Sequence, residues 1–357
     1  MFFNFPKDGD MLNEHDGTVK NGRLYVRARV AAHPESRIFI NRIPAVYDGS
    51  FFTAEVPVDG YRNMITFHDA ASNKSIDTVV YWLKDSAKKY RVSLDDNIWF
   101  LRDIAKNAGR YASVFDNPYL AVYKKAHDLY GAKVHANLYY QCEDFNLSMM
   151  PDTFKPEFIA NADWLNFTFH ALQNDPDKPY VKATYDQILT DYDLITNEII
   201  RFAGEECLSP VTTVHWGECT REGVRALRAR GIRCLMGYFR LENSEPHVSY
   251  YMDFGQTLHI SGRNFWKDDK EDMIYGRISN VMNEGDREDI IKVLDSQKTD
   301  PHTGGFVELM IHEQYFYTEY EKHLPDYEQR VMTGVKWAAD NGYEPAWIQD
   351  FLFEKSR

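Results

Sequence analysis

Long apolar runs are missing from this chain: no stretch reaches the roughly 18 uninterrupted apolar residues of a membrane-spanning helix. Cysteine is scarce, with Cys142, Cys207, Cys219 and Cys234 as the only four and no pair at C-x-x-C spacing. A disulfide framework and a structural zinc–cysteine site are thereby excluded, and the thiols read as mostly buried. Basic residues are outnumbered, 41 Lys and Arg against 54 Asp and Glu, for a net charge of -13. A field of that sign repels nucleic-acid phosphates and anionic lipid, which removes both as expected partners. Internal repeats and low-complexity segments are lacking too. The opening "MFFNFPKDGD" has neither the basic start nor the apolar run of a secretory leader, so the chain is expected inside the cell unless a leader has been removed.

Aromatic residues are plentiful, 15% of the chain with 23 Tyr and 7 Trp. Sugar rings present apolar C–H faces to aromatic planes, so this composition suits a carbohydrate-facing surface as well as a large core. A length of 357 residues suggests two domains, or one large barrel with an appendage.

The texture of the sequence changes near residue 86. Before it, "RLYVRARVAA", "RIFINRIP", "SFFTAEVPV", "NMITFHDAA" and "SIDTVVYWL" are short β-rich runs, separated by turn chemistry at Asp48-Gly49 and Asp59-Gly60. About five strands without helical pattern predict a small β-sandwich over residues 1–86. The run from Ile40 to Ala70 also resembles the immunoglobulin-like modules appended to bacterial carbohydrate enzymes; a spacer packed on its neighbour is the other reading. After residue 86 strand and helix alternate. "NPYLAVYKKAHDLYG" closes on Gly131, and Ile188, Tyr192, Ile195, Ile199 and Phe202 recur at helical spacing. "TREGVRALRARG" opens on the capping residue Thr220 and leads into the strand "IRCLMGYF", and "DYEQRVMTGVKWAADNG" again ends a helix on Gly. Such alternation predicts parallel strands with crossover helices, an α/β barrel or a doubly wound sheet over residues 87–357.

Polar residues stand at the ends of the strands predicted in that region. Asp95-Asp96 follows "YRVSL", His170 ends "WLNFTFH", His215 ends "VTTVH" and His312 ends "GGFVELMIH". In an α/β barrel these ends meet on one rim. Two carboxylates and three imidazoles there suit a catalytic metal with three His or carboxylate ligands, together with a base for water and an acid for the leaving group. Because side chains alternate along a strand, Asp95 and Asp96 are expected to diverge, one toward the metal and one toward its water. A loop or helix cap is the plainer role for either carboxylate.

The stretch "SLDDN" resembles the T-F-D-D-G motif of the polysaccharide deacetylases, metal-dependent hydrolases on a distorted (β/α) barrel. "FHALQN" is similar to that family's H-x-x-x-H motif, "VHWGE" to the end of its R-x-P-x-G motif, and "LMIH" to its L-x-x-H motif. The order of the four agrees, over about residues 88–357. The resemblance implies Asp95 as general base, Asp96 and His170 as ligands of a divalent metal with Zn²⁺ expected, and His312 as general acid. Trp216 and Gly217 align with the last positions of the third motif. Three positions depart from the pattern: Asn174 replaces the second motif His, Thr213 the Arg that orients the base, and His215 the motif Pro. His215 is expected to complete the metal site with Asp96 and His170; Asn174 is the less favoured third ligand and Asp175 a remote one.

The remaining expected substrate-binding residues are Trp216, Glu218, Glu308, and Arg263 with Trp266 in "SGRNFWKDD", where Lys267 adds a second cation that suits an acidic or N-acetylated sugar. Glu308 reads equally as a structural ion pair, Arg263 as a loop ion pair, and Glu313 as an orienting partner of His312. The sequence thus predicts a metal-dependent carbohydrate N- or O-deacetylase. Its rivals are a glycoside hydrolase pairing Asp95 with Glu218 or Glu308, and a glycan-binding protein with a degenerate site. Sugar, linkage, acyl group and oligomeric state are not legible.

Overall fold

In a computed structural model, residues 1–354 are described. Residues 2–82 form two five-stranded sheets. One is built around Arg23–Ala31 and Phe52–Val58, the other around Arg62–Asp69 and Lys74–Trp82. All five β-rich runs lie in these strands. Short strands at Phe2–Phe5, Met11–Leu12, Thr18–Lys20, Ile38–Ile40, Ile43–Pro44 and Val46–Tyr47 complete the sheets. In "RLYVRARVA" every second residue is buried, and Leu24, Val26, Ala28 and Val30 share one apolar cluster with Ile65, Phe67, Val80 and Trp82 of the other sheet. Period-two alternation makes one face of each sheet apolar, and the two faces exclude water by covering each other.

This region is also bonded to the rest of the chain. Met11, Tyr81 and Leu83 share a buried cluster with Val211, Cys234, Phe265 and Phe351. Asp10 bridges Trp266, and Lys267 N–H donates to the Gly9 carbonyl at 2.9 Å.

Beyond it the fold is mixed α/β. A parallel sheet has the order Leu165–Ala171, Val134–Tyr139, Lys89–Asn97, Phe306–His312, Asn280–Val281, with Glu344–Pro345 pairing the start of Lys89–Asn97. Crossover helices at Pro118–Tyr130, Tyr185–Phe202, Arg221–Ala229 and Tyr327–Asp340 occupy the stretches read as helical. Asn117 and Thr220 cap two of them, and Gly131 ends one at φ 68°. Ile188, Tyr192, Ile195, Ile199 and Phe202 all face the core. No described helix is long and apolar enough to cross a membrane.

The strands expected to form a distorted (β/α) barrel do not close into one sheet among the described residues. A separate sheet has the order Val211–Thr212, Cys234–Gly237, Met273–Arg277, Phe265–Asp268. Just ahead of Val211–Thr212, Leu208 makes an isolated parallel bridge to Phe167 of the first sheet. The physical reason is local: Val211–Thr212 is two residues long, and Ile278-Ser279 leave the ladder before Asn280–Val281 begins, so no continuous ring of hydrogen bonds forms.

Candidate active site

A cavity of about 460 Å³ opens where these strands end, and Asp95, Asp96, His170, His215 and His312 all line it. The two aspartates reach it together, contrary to the divergence expected from alternation. Asp96 has φ +64°, and the pairing of this strand with Val134–Tyr139 slips between Leu94 and Asn97. A bulge with one left-handed residue reorients the side chain that pleating would send to the opposite face. Asp95–Asp96 also lies within the strand Lys89–Asn97, not in a loop after it.

Asp96 Oδ1 lies 3.0 Å from His170 Nε2 and 3.2 Å from His215 Nδ1, and these two nitrogens are 3.2 Å apart. The other nitrogen of each ring faces a backbone carbonyl: His170 Nδ1 donates to Thr213, and His215 Nε2 donates to Asn174 at 3.1 Å. A carbonyl oxygen only accepts, so those contacts hold the ring protons and leave His170 Nε2 and His215 Nδ1 as lone pairs. Three lone-pair atoms therefore converge within 3.2 Å, an arrangement that calls for a cation between them. Tyr139 donates its hydroxyl to Asp96 Oδ1, and Gln314 Nε2 donates to Asp96 Oδ2 at 2.9 Å. Burial alone would raise the Asp96 pKa, but where the His170 and His215 rings turn a proton toward it, those hydrogen bonds and the nearby His312 outweigh burial and hold the carboxyl well below its ordinary range; a bound cation would take over that part.

The donor set fits a divalent metal: one carboxylate and two imidazoles with ring orientation fixed from behind. Asn174 supports this group rather than joining it. Its backbone carbonyl accepts from His215, and its Oδ1 lies 3.3 Å from the Tyr139 hydroxyl oxygen. Asp175 follows it in an exposed loop.

Asp95 is 4% exposed, and Asn137 Nδ2 donates to its Oδ1 at 2.6 Å. Burial, reinforced by the Asp96 charge, raises its pKa well above the carboxylate range, with the Asn137 bond opposing. His312 donates Nδ1–H to Asn283 Oδ1 at 2.8 Å, and burial lowers its pKa while Asp96 pulls the other way. Just after it, Glu313 is completely buried and accepts the backbone N–H groups of Ile98, Trp99 and Phe100 at 2.6–2.9 Å. The helix Trp99–Asn107 has no side-chain cap of its own, so Glu313 caps it from across the sheet and ties the Asp96 segment to the His312 segment. Burial still raises the Glu313 carboxyl to about 7 against those three donors.

The other expected substrate-binding residues separate. Trp216 lines the cavity, 36% exposed, immediately after His215. The chain reverses there through two left-handed residues, Trp216 at φ 62° and Gly217 at φ 54°, and a Cβ on Gly217 would lie 2.4 Å from Val248 Cγ1. Glu218 turns away to Lys178 at 3.6 Å. Glu308 is fully buried beneath the cavity, and Arg91 Nε contacts both its oxygens at 2.9 and 3.0 Å. Arg263 binds Asp10 and Asp16, both at 3.3 Å, while Trp266 donates to the Asp8 carbonyl at 2.8 Å. Trp266 and Lys267 belong to the strand Phe265–Asp268, not to a loop, and with Arg263 they face the N-terminal sheets.

Sequence reasoning missed Tyr139, Asn137, Asn283 and Gln314. Tyr139 carried a usable signal, since it ends the strand "VHANLY" as the histidines end theirs. The two asparagines and Gln314 had none, because their partners lie between 29 and 218 residues away.

No protein-family signature and no curated protein matches the sequence. Among solved structures the chain is similar to a 4-α-glucanotransferase from Thermococcus litoralis, with 10% identity and TM-score 0.46 over 74% of this chain and 40% of that one. It thus spans 40% of the length of that enzyme. It is also similar to Agd3, a carbohydrate deacetylase, with 9% identity and TM-score 0.38 over 91% of this chain and 69% of that one. A third likeness is to a candidate polysaccharide deacetylase of O-antigen biosynthesis from Bordetella bronchiseptica, with 11% identity and TM-score 0.33 over 70% and 84% of the two chains. These likenesses are distant, and no residue is assigned from them.

Proposed function

We propose that the protein is a metal-dependent carbohydrate deacetylase, acting on an N- or O-acetyl group. The observation that carries this reading is the convergence of Asp96 Oδ1, His170 Nε2 and His215 Nδ1 within 3.2 Å, with both ring protons committed to backbone carbonyls. A divalent ion held there, Zn²⁺ by the nature of the donors, would polarise the acetyl carbonyl and make bound water more acidic. Asp95, its pKa raised by burial, accepts a proton from the attacking water. His312, its pKa lowered, is a strong donor once protonated and returns a proton to the departing amine or alcohol. Water thus adds across the acyl bond, giving acetate and the free amine or hydroxyl.

Asn137 answers the main objection, the loss of the motif Arg at Thr213. Its Nδ2 holds Asp95 while its Oδ1 accepts the Thr213 N–H at 3.1 Å, so another residue orients the base. That favours a working site over a degenerate one. A glycosidase pairing Asp95 with Glu218 or Glu308 loses support, because each partner is ion-paired outside the cavity. With this reading goes a division near residue 86, the two-sheet region as an immunoglobulin-like module and the remainder as a distorted (β/α) barrel.

The test is acetate release from acetylated oligosaccharides, N-acetylated chitin fragments and O-acetylated xylan among them, by protein stripped with a chelator and then reloaded with Zn²⁺. Release only after reloading is expected. Release that is unaffected by chelation, or glycosidic cleavage in place of acetate, would sink the assignment.

A further inference from the structure

A second cavity of about 370 Å³ adjoins the first, and the two share Tyr238, Arg240, Ile278 and Glu284 in their walls. Its distinctive member is Arg277, at the end of the strand Met273–Arg277. The side chain is partly buried, yet among the described residues no carboxylate lies within ion-pair distance of it and no side-chain hydrogen bond reaches it. A guanidinium taken out of water without a counter-charge is costly, and such groups are normally paired. Burial lowers the Arg277 pKa, and Asp300, at a distance, is the acid that opposes the shift.

Three neighbours add to this. Arg240 lies over the Tyr238 ring at 4.9 Å and also has no ion pair among the described residues. Asn280, 3% exposed, lines the same cavity, and its Oδ1 has no hydrogen-bond partner. Of the two acids in the walls, Asp289 is already engaged by Lys292 at 3.0 Å and by the Asp286 N–H at 3.1 Å. Glu284 is exposed and screened by solvent. In a chain of net charge -13, two arginines without an ion pair among the described residues line this cavity, and Arg240 lines the active-site cavity as well.

We infer that the second cavity is a subsite for an anionic substituent on the glycan, a carboxylate or sulfate carried by a sugar next to the one that reacts. Arg277 and Arg240 receive the anionic oxygens, Asn280 Oδ1 accepts a sugar hydroxyl, and Tyr238 offers a ring face between the two cavities. The identity of the molecule as a glycan rests on the reading above; the anion site itself does not.

The experiment is calorimetric titration of the full chain, stripped of metal, with trigalacturonate, a 6-sulfated chitotriose and neutral chitotriose. At least one charged trisaccharide is expected to bind ten times more tightly than the neutral one, with the preference shrinking as salt is added. Arg277→Gln should reduce the preference about tenfold and Arg277→Lys less. Arg240→Gln, at an exposed position that does not endanger folding, should weaken the charged ligand several-fold and chitotriose by a smaller factor. Equal binding of charged and neutral sugars, no binding of either charged sugar, or a preference indifferent to both Gln variants would overturn the inference. Because no turnover is read, its failure leaves acetate release untouched, and loss of acetate release leaves the anion site standing.

Discussion

Asp95 and His312 are register partners in adjacent parallel strands, Lys89–Asn97 and Phe306–His312. Partners in a parallel ladder point to the same side of the sheet, so a base and an acid are delivered to one cavity at the spacing of neighbouring strands. Asn137 holds the first and Asn283 the second, each through one short hydrogen bond.

Asp95→Asn and His312→Ala should each lower acetate release by about 10²–10⁴-fold, the range for losing a general base or acid. Metal content measured on the same samples should stay at the wild-type level. Turnover near that of the wild type in either variant would remove that residue from the chemistry.

Tyr139→Phe leaves Asp96, His170 and His215 in position but deletes the hydroxyl donated to Asp96. Loss of such a supporting contact weakens metal affinity about 10–100-fold. Competition with a fluorescent zinc chelator measures it, and His215→Ala should weaken binding further. An unchanged affinity in both variants would place the metal elsewhere.

Glu308→Gln breaks a fully buried pair, and Arg91 is then left as an uncompensated charge that also contacts His135 at 3.2 Å. Breaking one partner of such a pair costs about 3–5 kcal/mol of stability, to be read from urea unfolding. The folded fraction should keep its acetate release, since Glu308 lies outside the cavity. A stable but inactive variant would revive the carboxylate-pair reading.

His302 sits 3.1 Å from Asp16, joining the N-terminal sheets to the α/β region. The Asp16 carboxylate raises the His302 pKa above 6.5. Asp16 itself is held below 3.8, because His302 and Arg263 outweigh the burial that would raise it. A His raised by folding contributes stability that is whole below its unfolded value and fades as pH climbs through the folded one. The pair should therefore support the fold fully near pH 6 and lose that support above the ordinary histidine range. Melting temperatures of wild type and His302→Gln should differ most at about pH 6 and converge toward about pH 9. A constant difference would show that the charge is not what joins the two regions.

Local signals in the sequence were enough for much of this. β-rich runs such as "RLYVRARVAA", the cap Thr220, the stop Gly131, and polar residues closing apolar strands depend on neighbours within a few positions, and they located the strands, the crossover helices and the residues Asp95, His170, His215 and His312. Tertiary structure decided what depends on distant partners. The bulge at Asp96 overrode alternation, and Glu313 became the cap of a helix more than 200 residues earlier. Glu308 was claimed by Arg91, and Arg263 by Asp10 and Asp16. A carboxylate or guanidinium looks the same in sequence whether its charge is spent inside the fold or left free for a ligand. Only the packing of distant segments separates Glu308 and Arg263, which are neutralised, from Asp95 and Arg277, which are not.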